Sequence, residues 1–223
     1  MSGTRFRSLA AALAAVVLLP ACSASPNGGV SATALPQTHR TVANTSSTCP
    51  AYFAEHGLVI DGDFRQATDP GDTLVPQTQG AAFAPDWVVQ RGAIDFAGSK
   101  YWNIGGLCSV NLDGHPAGTI ATKPFPTTKG AQYTVTFLIS GYGCEGGGFR
   151  CSDVKHMAVQ VGKQRQVFVW ETTGTYDVQH GHYLEATWYF TAEKPQSVVE
   201  LHSLDKNSSR RGCVVAALSV VPD

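Results

Sequence analysis

The stretch from Pro85 to Gly114 constrains the fold more than any other part of the chain, because its apolar residues alternate with other residues in three short bursts. The bursts are Trp87/Val89, Ile94/Phe96 and Val110/Leu112. A period of two places such side chains on one face of a strand, whereas a helix requires a repeat near 3.6 residues. Glycines separate the bursts, and each is predicted to turn the chain with a positive φ: Gly92, Gly98 and Gly105-Gly106. The stretch therefore predicts antiparallel β structure.

Composition supports the same fold class along the whole chain. The 223 residues include 23 Gly and 12 Pro but only 15% charged residues, a mixture that favours short strands and tight turns. Strands are predicted at Leu58–Ile60, Tyr133–Ser140, Met157–Val161, Val167–Trp170, Ala186–Thr191, Val198–Leu201 and Val214–Val221. The last is almost continuously apolar, so we expect it to be buried on both faces. Phe64 is predicted to be a core residue, and Gln66–Pro85 is predicted to be a long loop.

The N-terminus carries the features of an exported lipoprotein. Residues 1–21 combine Arg5 and Arg7 with an apolar run of the length found in signal peptides. Leu19-Pro-Ala-Cys22 resembles the lipobox of bacterial lipoproteins, although proline is unusual at its second position, and an ordinary secretory peptide is the alternative. We therefore predict that the signal peptide is removed at Cys22 and that a lipid on Cys22 holds the protein at the cell envelope.

A disordered tether is predicted to follow the anchor. Residues 22–48 are dominated by Ser, Ala, Thr, Pro, Gly and Asn and offer too little apolar surface to form a core. Residues 49–223 are then predicted to form one domain. The 16 Lys+Arg residues nearly balance the 17 Asp+Glu residues, so the net charge gives no reason to expect nucleic acid as a partner, and contact with the membrane is expected through the lipid alone.

Several motifs occur in an order that resembles a known family. Trp-x-Val-x-x-Gly-x-Ile-Asp occupies residues 87–95, Tyr-Trp occupies 101–102, and Ser-Val-Asn-Leu-Asp-Gly occupies 109–114. This series resembles the DUF642 or "choice-of-anchor C" family of extracellular domains, and the likeness extends over about Leu58 to Pro222. The resemblance implies an all-β antiparallel sandwich of the jelly-roll, galactose-binding-like type. It also implies that the tryptophans lie in the core: Trp87, Trp102, Trp170 and Trp188.

The cysteines predict disulfides outside the cytoplasm. With Cys22 assigned to a lipid, five of the six cysteines remain, which gives two disulfides and one free thiol. A local bridge between Cys144 and Cys151 is favoured because it would close a glycine-rich loop. The alternative is a bridge from Cys144 to Cys213, where some members of the family also have a cysteine.

No cofactor, metal or catalytic site is predicted. The chain has no Gly-x-Ser-x-Gly, His-Glu-x-x-His or phosphate-loop motif, and the family is not known for enzymes. His180 and His182 with Asp177 are the nearest approach to a zinc site, but they lie in a polar, turn-like run. Sandwiches that the family resembles often hold a structural Ca²⁺. Here Arg65 and Ala216 stand where the family has acidic ligands, so we expect no calcium.

Carbohydrate binding is the favoured function, since members of the family in plants are associated with cell-wall polysaccharides. Aromatic rings stack on sugar rings, while amide and charged groups bond the hydroxyls. Candidates lie in two polar loops: Tyr142, Phe149, Arg150 and Asp153 in the first, Tyr176, His180, His182 and Tyr183 in the second. Tyr189 is a further aromatic expected to face outward. The alternative is an envelope scaffold that binds an unidentified protein, with a hydrolase as a distant third.

Overall fold

A computed structural model describes residues 48–53, 57–101, 106–141, 154–171, 183–205 and 211–223. These residues contain thirteen strands and no helix. The strands are β1 Leu74–Thr78, β2 Trp87–Arg91, β3 Ala93–Ala97, β4 Ser109–Asn111, β5 Thr119–Thr122, β6 Phe125–Pro126, β7 Gln132–Gly141, β8 Val154–Val161, β9 Gln164–Glu171, β10 Leu184–Thr191, β11 Gln196–Ser197, β12 Glu200–Ser203 and β13 Cys213–Pro222. The predicted all-β class is confirmed, and no helix in this part of the chain could cross a membrane.

Two large antiparallel sheets form the sandwich. One has six strands in the order β1-β3-β4-β13-β7-β10, the other has five in the order β2-β5-β12-β8-β9, and β6 and β11 form a small third sheet. Side chains from both large sheets meet in one apolar core. Phe137 of β7 and Phe168 of β9, for example, lie with ring centroids 5.0 Å apart across the interface. Burial of such inward faces is the main force that holds the sheets together.

The Pro85–Gly114 stretch crosses between the two sheets. Trp87 and Val89 belong to the five-stranded sheet, whereas Ile94, Phe96 and Val110 belong to the six-stranded sheet. The crossing occurs at Gly92, which has a φ of 66°. Gly98 differs from the prediction, because its φ is not positive and its lack of a side chain instead admits the backbone of Gly71.

Several predicted core positions are confirmed. Phe64 is buried between Phe83, Trp87 and Phe96. Residues 213–218 of β13 are all buried between β4 and β7, as the continuous apolar run indicated. Trp87 and Trp170 are buried and Trp188 is partly buried against the core, while Trp102 lies outside the described residues.

Two predictions about the first half of the domain were wrong. Leu58–Ile60 is not a strand: the Leu58 N–H donates to the Val220 carbonyl, the chain then turns, and Ile60 is exposed. The turn brings Gly62 so close to the Leu218 carbonyl that a side chain there would collide with it. Gln66–Pro85 is not simply a loop, because it contains β1. The polar and proline content of β1 is compatible with its position at a sheet edge, where only one side of the strand needs partners.

The disulfide found in the described residues was not predicted. Cys49 and Cys108 are bonded, 59 residues apart in sequence. Cys213 is a buried free thiol, which contradicts the alternative Cys144–Cys213 bridge. The favoured Cys144–Cys151 bridge lies outside the described residues and stays a prediction.

The outer face of the six-stranded sheet is covered. A second apolar cluster, formed by Ala97, Leu107, Leu138, Val214, Ala216 and Ala217, lies on this side of the sheet. Tyr52, Phe53, Leu74, Tyr101 and Tyr183 pack over it. The segment 48–53 is held there by the Cys49–Cys108 disulfide and by the Arg65 guanidinium, which donates to the Phe53 carbonyl at 2.8 Å. Among the described residues, no such apolar cluster covers the outer face of the five-stranded sheet.

Candidate ligand-binding face

Seven of the eight candidate ligand residues from the sequence lie outside the described residues: Tyr142, Phe149, Arg150, Asp153, Tyr176, His180 and His182. Tyr183 is half-buried and packs on the covered face of the six-stranded sheet. Tyr189 is 55% exposed, as expected. Val154 pairs with Glu171 at one end of the β8–β9 hairpin. The ligand role of these residues stays a prediction.

The outer side of the five-stranded sheet, which we call the open face, carries a different set of polar residues. Alternation along each strand sends Trp87, Ile120, Leu201 and Val159 inward and the residues between them outward. The outward residues described on its five strands include Gln90, Arg91, Thr119, Ala121, Glu200, His202, His156, Ala158, Gln160, Arg165, Val167 and Val169. These residues come from parts of the chain that are far apart in sequence.

A bulge in β2 places two consecutive polar side chains on the open face. The register between β2 and β5 shifts between Val89 and Arg91, so strict alternation fails there. As a result Gln90 reaches Glu200 on β12, while Arg91 reaches Thr119 on β5. The edge strand thus contributes both an amide and a guanidinium to the same surface.

A chain of polar contacts runs across β2, β5 and β12. The Gln90 amide donates to Glu200 at 3.2 Å, and His202 Nε2 lies 3.1 Å from the other Glu200 oxygen. His202 Nδ1 lies 3.3 Å from the Thr119 hydroxyl, which accepts from Arg91 at 3.4 Å. The Thr119 hydroxyl and Nδ1 share a hydrogen bond whose direction depends on which ring nitrogen carries the proton. The five side chains therefore fix one another in position.

The centre of this network is half-buried although it faces outward. Burial lowers the pKa of His202, Glu200 opposes that shift, and the charges of Arg165 and Arg91 lower the pKa further. His202 is therefore neutral at pH 7, where it acts as a hydrogen-bonding group. Glu200 and His202 pair across the strands with Ala121 and Ala158. On their other sides Glu200 lies beside Gln160 and His202 beside Thr119, and the two side chains remain 25% and 16% exposed.

The open face supplies binding groups more readily than catalytic ones. It presents a carboxylate, an amide, an imidazole and guanidinium groups, which together accept and donate hydrogen bonds. Glycoside hydrolysis of the usual kind requires two carboxyl groups flanking the bond that is cleaved. Glu200 is the single carboxylate among the outward residues described on β5, β12 and β8.

One group of potential metal ligands occurs in the described residues, and its atoms are already engaged. Cys49, Asp69 and Cys108 lie close together, but the two sulfur atoms form the disulfide and are not thiolates. The Asp69 carboxylate accepts hydrogen bonds from the backbone N–H groups of Gly71 and Ser99 and from the Ser99 hydroxyl. This donor set does not fit a metal ion.

The position where the family resemblance implies a calcium ligand is occupied by an ion pair. Arg65 donates to both oxygens of Asp63, at 2.7 and 2.5 Å, as well as to the Phe53 carbonyl. Asp63 is 2% exposed, so the guanidinium supplies the positive charge that a buried carboxylate requires. Oxygen atoms that could have served a cation are therefore bonded to an arginine.

We expect calcium to leave the thermal stability of the protein unchanged. The unfolding midpoint in excess Ca²⁺ should lie within about 2 °C of the midpoint in EDTA, measured by scanning calorimetry. A ligand at a hundred times its Kd adds about 2.7 kcal/mol, which raises the midpoint of a domain of this size by about 5 to 10 °C. A rise of that size would contradict the assignment of Arg65 as the counter-charge at this position.

Fold and surface together define a β-sandwich domain with one covered sheet and one open, polar sheet. A family model described as "Protein of unknown function (DUF642)" matches residues 57–220. The chain belongs to the DUF642 family. No curated protein matches the chain.

Solved structures of similar fold include carbohydrate-binding modules and parts of glycoside hydrolases. A CBM4 structure is 10% identical, with 74% of this chain and 99% of that chain covered and a TM-score of 0.38. The CBM22-1 xylan-binding domain of Paenibacillus barcinonensis Xyn10C is 8% identical, with 68% of this chain and 96% of that chain covered and a TM-score of 0.42. A family GH115 4-O-methyl-α-glucuronidase is 11% identical, but only 16% of its length and 67% of this chain are covered, with a TM-score of 0.36. Similarities at this level do not identify a ligand.

Proposed function

We propose that this protein is a non-catalytic binding module, held at the cell envelope by a lipid on Cys22, and that its open face binds a polysaccharide. The observation that carries the proposal is the contact network that connects Gln90, Glu200, His202, Thr119 and Arg91 on an outward sheet surface. A sugar chain offers many hydroxyl groups, each of which donates and accepts. Side chains already fixed in position bind such groups with a smaller loss of conformational entropy.

The shape of the open face suits a chain better than a small molecule. Five strands spaced about 4.8 Å apart give a surface on the order of 19 Å across. The floor between the polar side chains is formed by Ala121 and Ala158, which are buried. The aromatic residues predicted from the sequence, Tyr142, Phe149 and Tyr176, would add stacking contacts to the same ligand.

Replacing Glu200 with alanine is expected to weaken polysaccharide binding by about tenfold or more. The change removes the central acceptor and leaves Gln90 and His202 without their partner, and a hydrogen bond to a charged group contributes about 1.5 to 3 kcal/mol. Affinity electrophoresis of the purified protein in gels that contain plant, fungal or bacterial wall polysaccharides measures the effect. Glu193→Ala, which removes an exposed carboxylate from the turn after β10, is the matched control and should bind normally.

Two results would contradict the proposal. Retention of no polysaccharide by the unaltered protein, the cell's own wall included, would favour a scaffold that binds a protein partner. Equal binding by the Glu200→Ala and Glu193→Ala proteins would place the ligand away from the open face. Circular dichroism of each variant establishes that folding is unchanged.

Cys22→Ala is expected to release the protein from the membrane. The diacylglyceryl chains proposed on Cys22 are its main hold on the bilayer, and the described residues contain no helix that could replace them. Membrane pellets washed with salt should contain the unaltered protein but not the variant, which should appear in the soluble fraction. A variant that remains in the washed pellet would show that something other than this lipid anchors the protein.

A further inference from the structure

Two guanidinium groups flank the centre of the open face from opposite edges of the sheet. Arg91 lies on β2 and Arg165 lies on β9, the two edge strands of the five-stranded sheet, and both are exposed. Arg91 donates to the Thr119 hydroxyl, which is neutral. Within the described part of the chain, neither arginine forms an ion pair with a carboxylate. Two permanent positive charges are thus available to a ligand on this surface.

Both arginines act on the same central residue. After burial and Glu200, the positive charges of Arg165 and Arg91 are the next influences on the pKa of His202, and both lower it. In the sheet register Arg165 lies opposite Gln160, which lies opposite Glu200, and Arg91 lies opposite Thr119, which lies opposite His202. Each arginine is therefore two strands, about 10 Å, from the central pair. The positive charges therefore face a common ligand position.

The local charge of the open face is opposite to that of the whole protein. At the centre, Arg91 and Arg165 stand against the carboxylate of Glu200, while the formal net charge of the chain is −1. The Asp205 carboxylate, just after β12, is 15% exposed and contacts His156. Glu171 also faces outward, but it lies six residues from Arg165 along β9, a distance of about 20 Å in a strand. It does not neutralise Arg165 over that distance.

We infer that the polysaccharide is acidic, with carboxylate-bearing uronic acid residues that bind Arg91 and Arg165 while Glu200 and its neighbours bond the hydroxyls between them. This inference rests on the proposed function and specifies its ligand. A guanidinium presents parallel N–H groups that match the two oxygens of a carboxylate, so the pairing is bidentate and geometrically selective. Glu200 keeps its negative charge, because Gln90 and the neutral His202 are uncharged partners, but the two arginines outnumber it.

The experiment compares acidic chains with their uncharged derivatives. Polygalacturonate, alginate and hyaluronan, each as the free acid and as the methyl ester, are tested by affinity electrophoresis of the purified protein. We expect at least one free acid to bind more tightly than its ester, because esterification removes the charge and preserves the sugar backbone. Dextran sulfate serves as a polyanion without carboxylates and should bind less tightly than the free acid.

Variants identify the groups responsible. Arg165→Gln should weaken binding to the acidic chain by about fivefold, the upper range for an exposed ion pair, and should leave binding to the ester unchanged. Arg91→Gln should weaken binding to the acidic chain more than binding to the ester, because Arg91 also belongs to the contact network through Thr119. Lys129→Gln removes an exposed positive charge from the turn before β7 and should have no effect. Added salt should weaken binding of the free acid to the protein but not binding of the ester.

The outcomes separate this inference from the function on which it rests. Equal affinity for acid and ester, unchanged binding in both arginine variants, or binding to neutral polysaccharides alone would overturn the acidic ligand and leave a polysaccharide-binding module. Binding to dextran sulfate as tight as binding to the free acid would overturn the assignment of carboxylates as the bound groups. Retention of no acidic, esterified or neutral chain would overturn both.

Discussion

A protein with both Cys49 and Cys108 replaced by serine is expected to unfold at a temperature about 8 to 16 °C below that of the unaltered protein. The disulfide closes a loop of 59 residues, and the loss of chain entropy from such a crosslink corresponds to about 4 kcal/mol. For a domain of 150 to 250 residues, each kcal/mol changes the midpoint by about 2 to 4 °C. Scanning calorimetry under non-reducing conditions measures the shift.

The control for this prediction is the free thiol. Cys213→Ala removes a buried sulfur without removing a crosslink, so we expect a loss of at most about 2 kcal/mol. The midpoints of the two proteins should differ clearly. If the double serine protein unfolds within about 3 °C of the unaltered protein, the disulfide does not stabilise the attachment of segment 48–53 to the domain.

Arg65→Ala is expected to have the second largest effect on stability, a loss of about 2 to 3 kcal/mol. Removing one member of an ion pair leaves the other charge uncompensated, and Asp63 is only 2% exposed. Arg65 is itself 20% exposed, so the estimate lies below that for a fully buried pair. The unfolding midpoint should fall by about 4 to 12 °C.

A second measurement locates the effect of Arg65. The Phe53 carbonyl accepts from Arg65, and the Tyr52 N–H donates to Asp63, so both contacts tie the N-terminal segment to the turn before β1. Hydrogen exchange of residues 52 and 53 should therefore quicken in the Arg65→Ala protein. Arg91→Ala, an arginine on the open face, should change neither exchange at those residues nor the midpoint by more than about 1 °C. The same stability in both variants would contradict the structural role of Arg65.

The N-terminal segment and the open face lie on opposite outer faces of the sandwich. Segment 48–53 packs on the outer face of the six-stranded sheet, with Tyr52 and Phe53 over the second apolar cluster. The open face is on the opposite side of the sandwich. A chain that enters the domain beside the six-stranded sheet therefore leaves the open face turned away from its attachment, which suits a module tethered at its N-terminus.

Local patterns in the sequence were sufficient to predict the strands of the core. Alternation identified the inward residues of β2, β3 and β7, and the continuous apolar run identified β13 as a strand buried on both faces. β1 was missed because an edge strand requires neither alternation nor a full set of backbone partners. The Cys49–Cys108 pair was missed because nothing local in the sequence connects positions 59 residues apart.

The open face could not be predicted for a related reason. Gln90 and Glu200 are separated by 110 residues, and Thr119 and His202 by 83, so only the order of strands brings them together. Their polar character between apolar neighbours was visible, but the pattern did not show which sheet they join or that the other sheet is covered. The sequence instead indicated aromatic residues in two loops as candidate ligand contacts, and that role stays a prediction.

Amide chemical-shift mapping by NMR tests the central claim most directly. A soluble oligosaccharide of the bound polysaccharide is titrated into the ¹⁵N-labelled protein, and the amides that shift are located on the fold. We predict the largest changes at residues 90–91, 119–122, 158–160 and 200–203, which lie side by side on the open face. Changes confined to the outer face of the six-stranded sheet, at Thr134, Thr187 and Tyr189, would contradict the account.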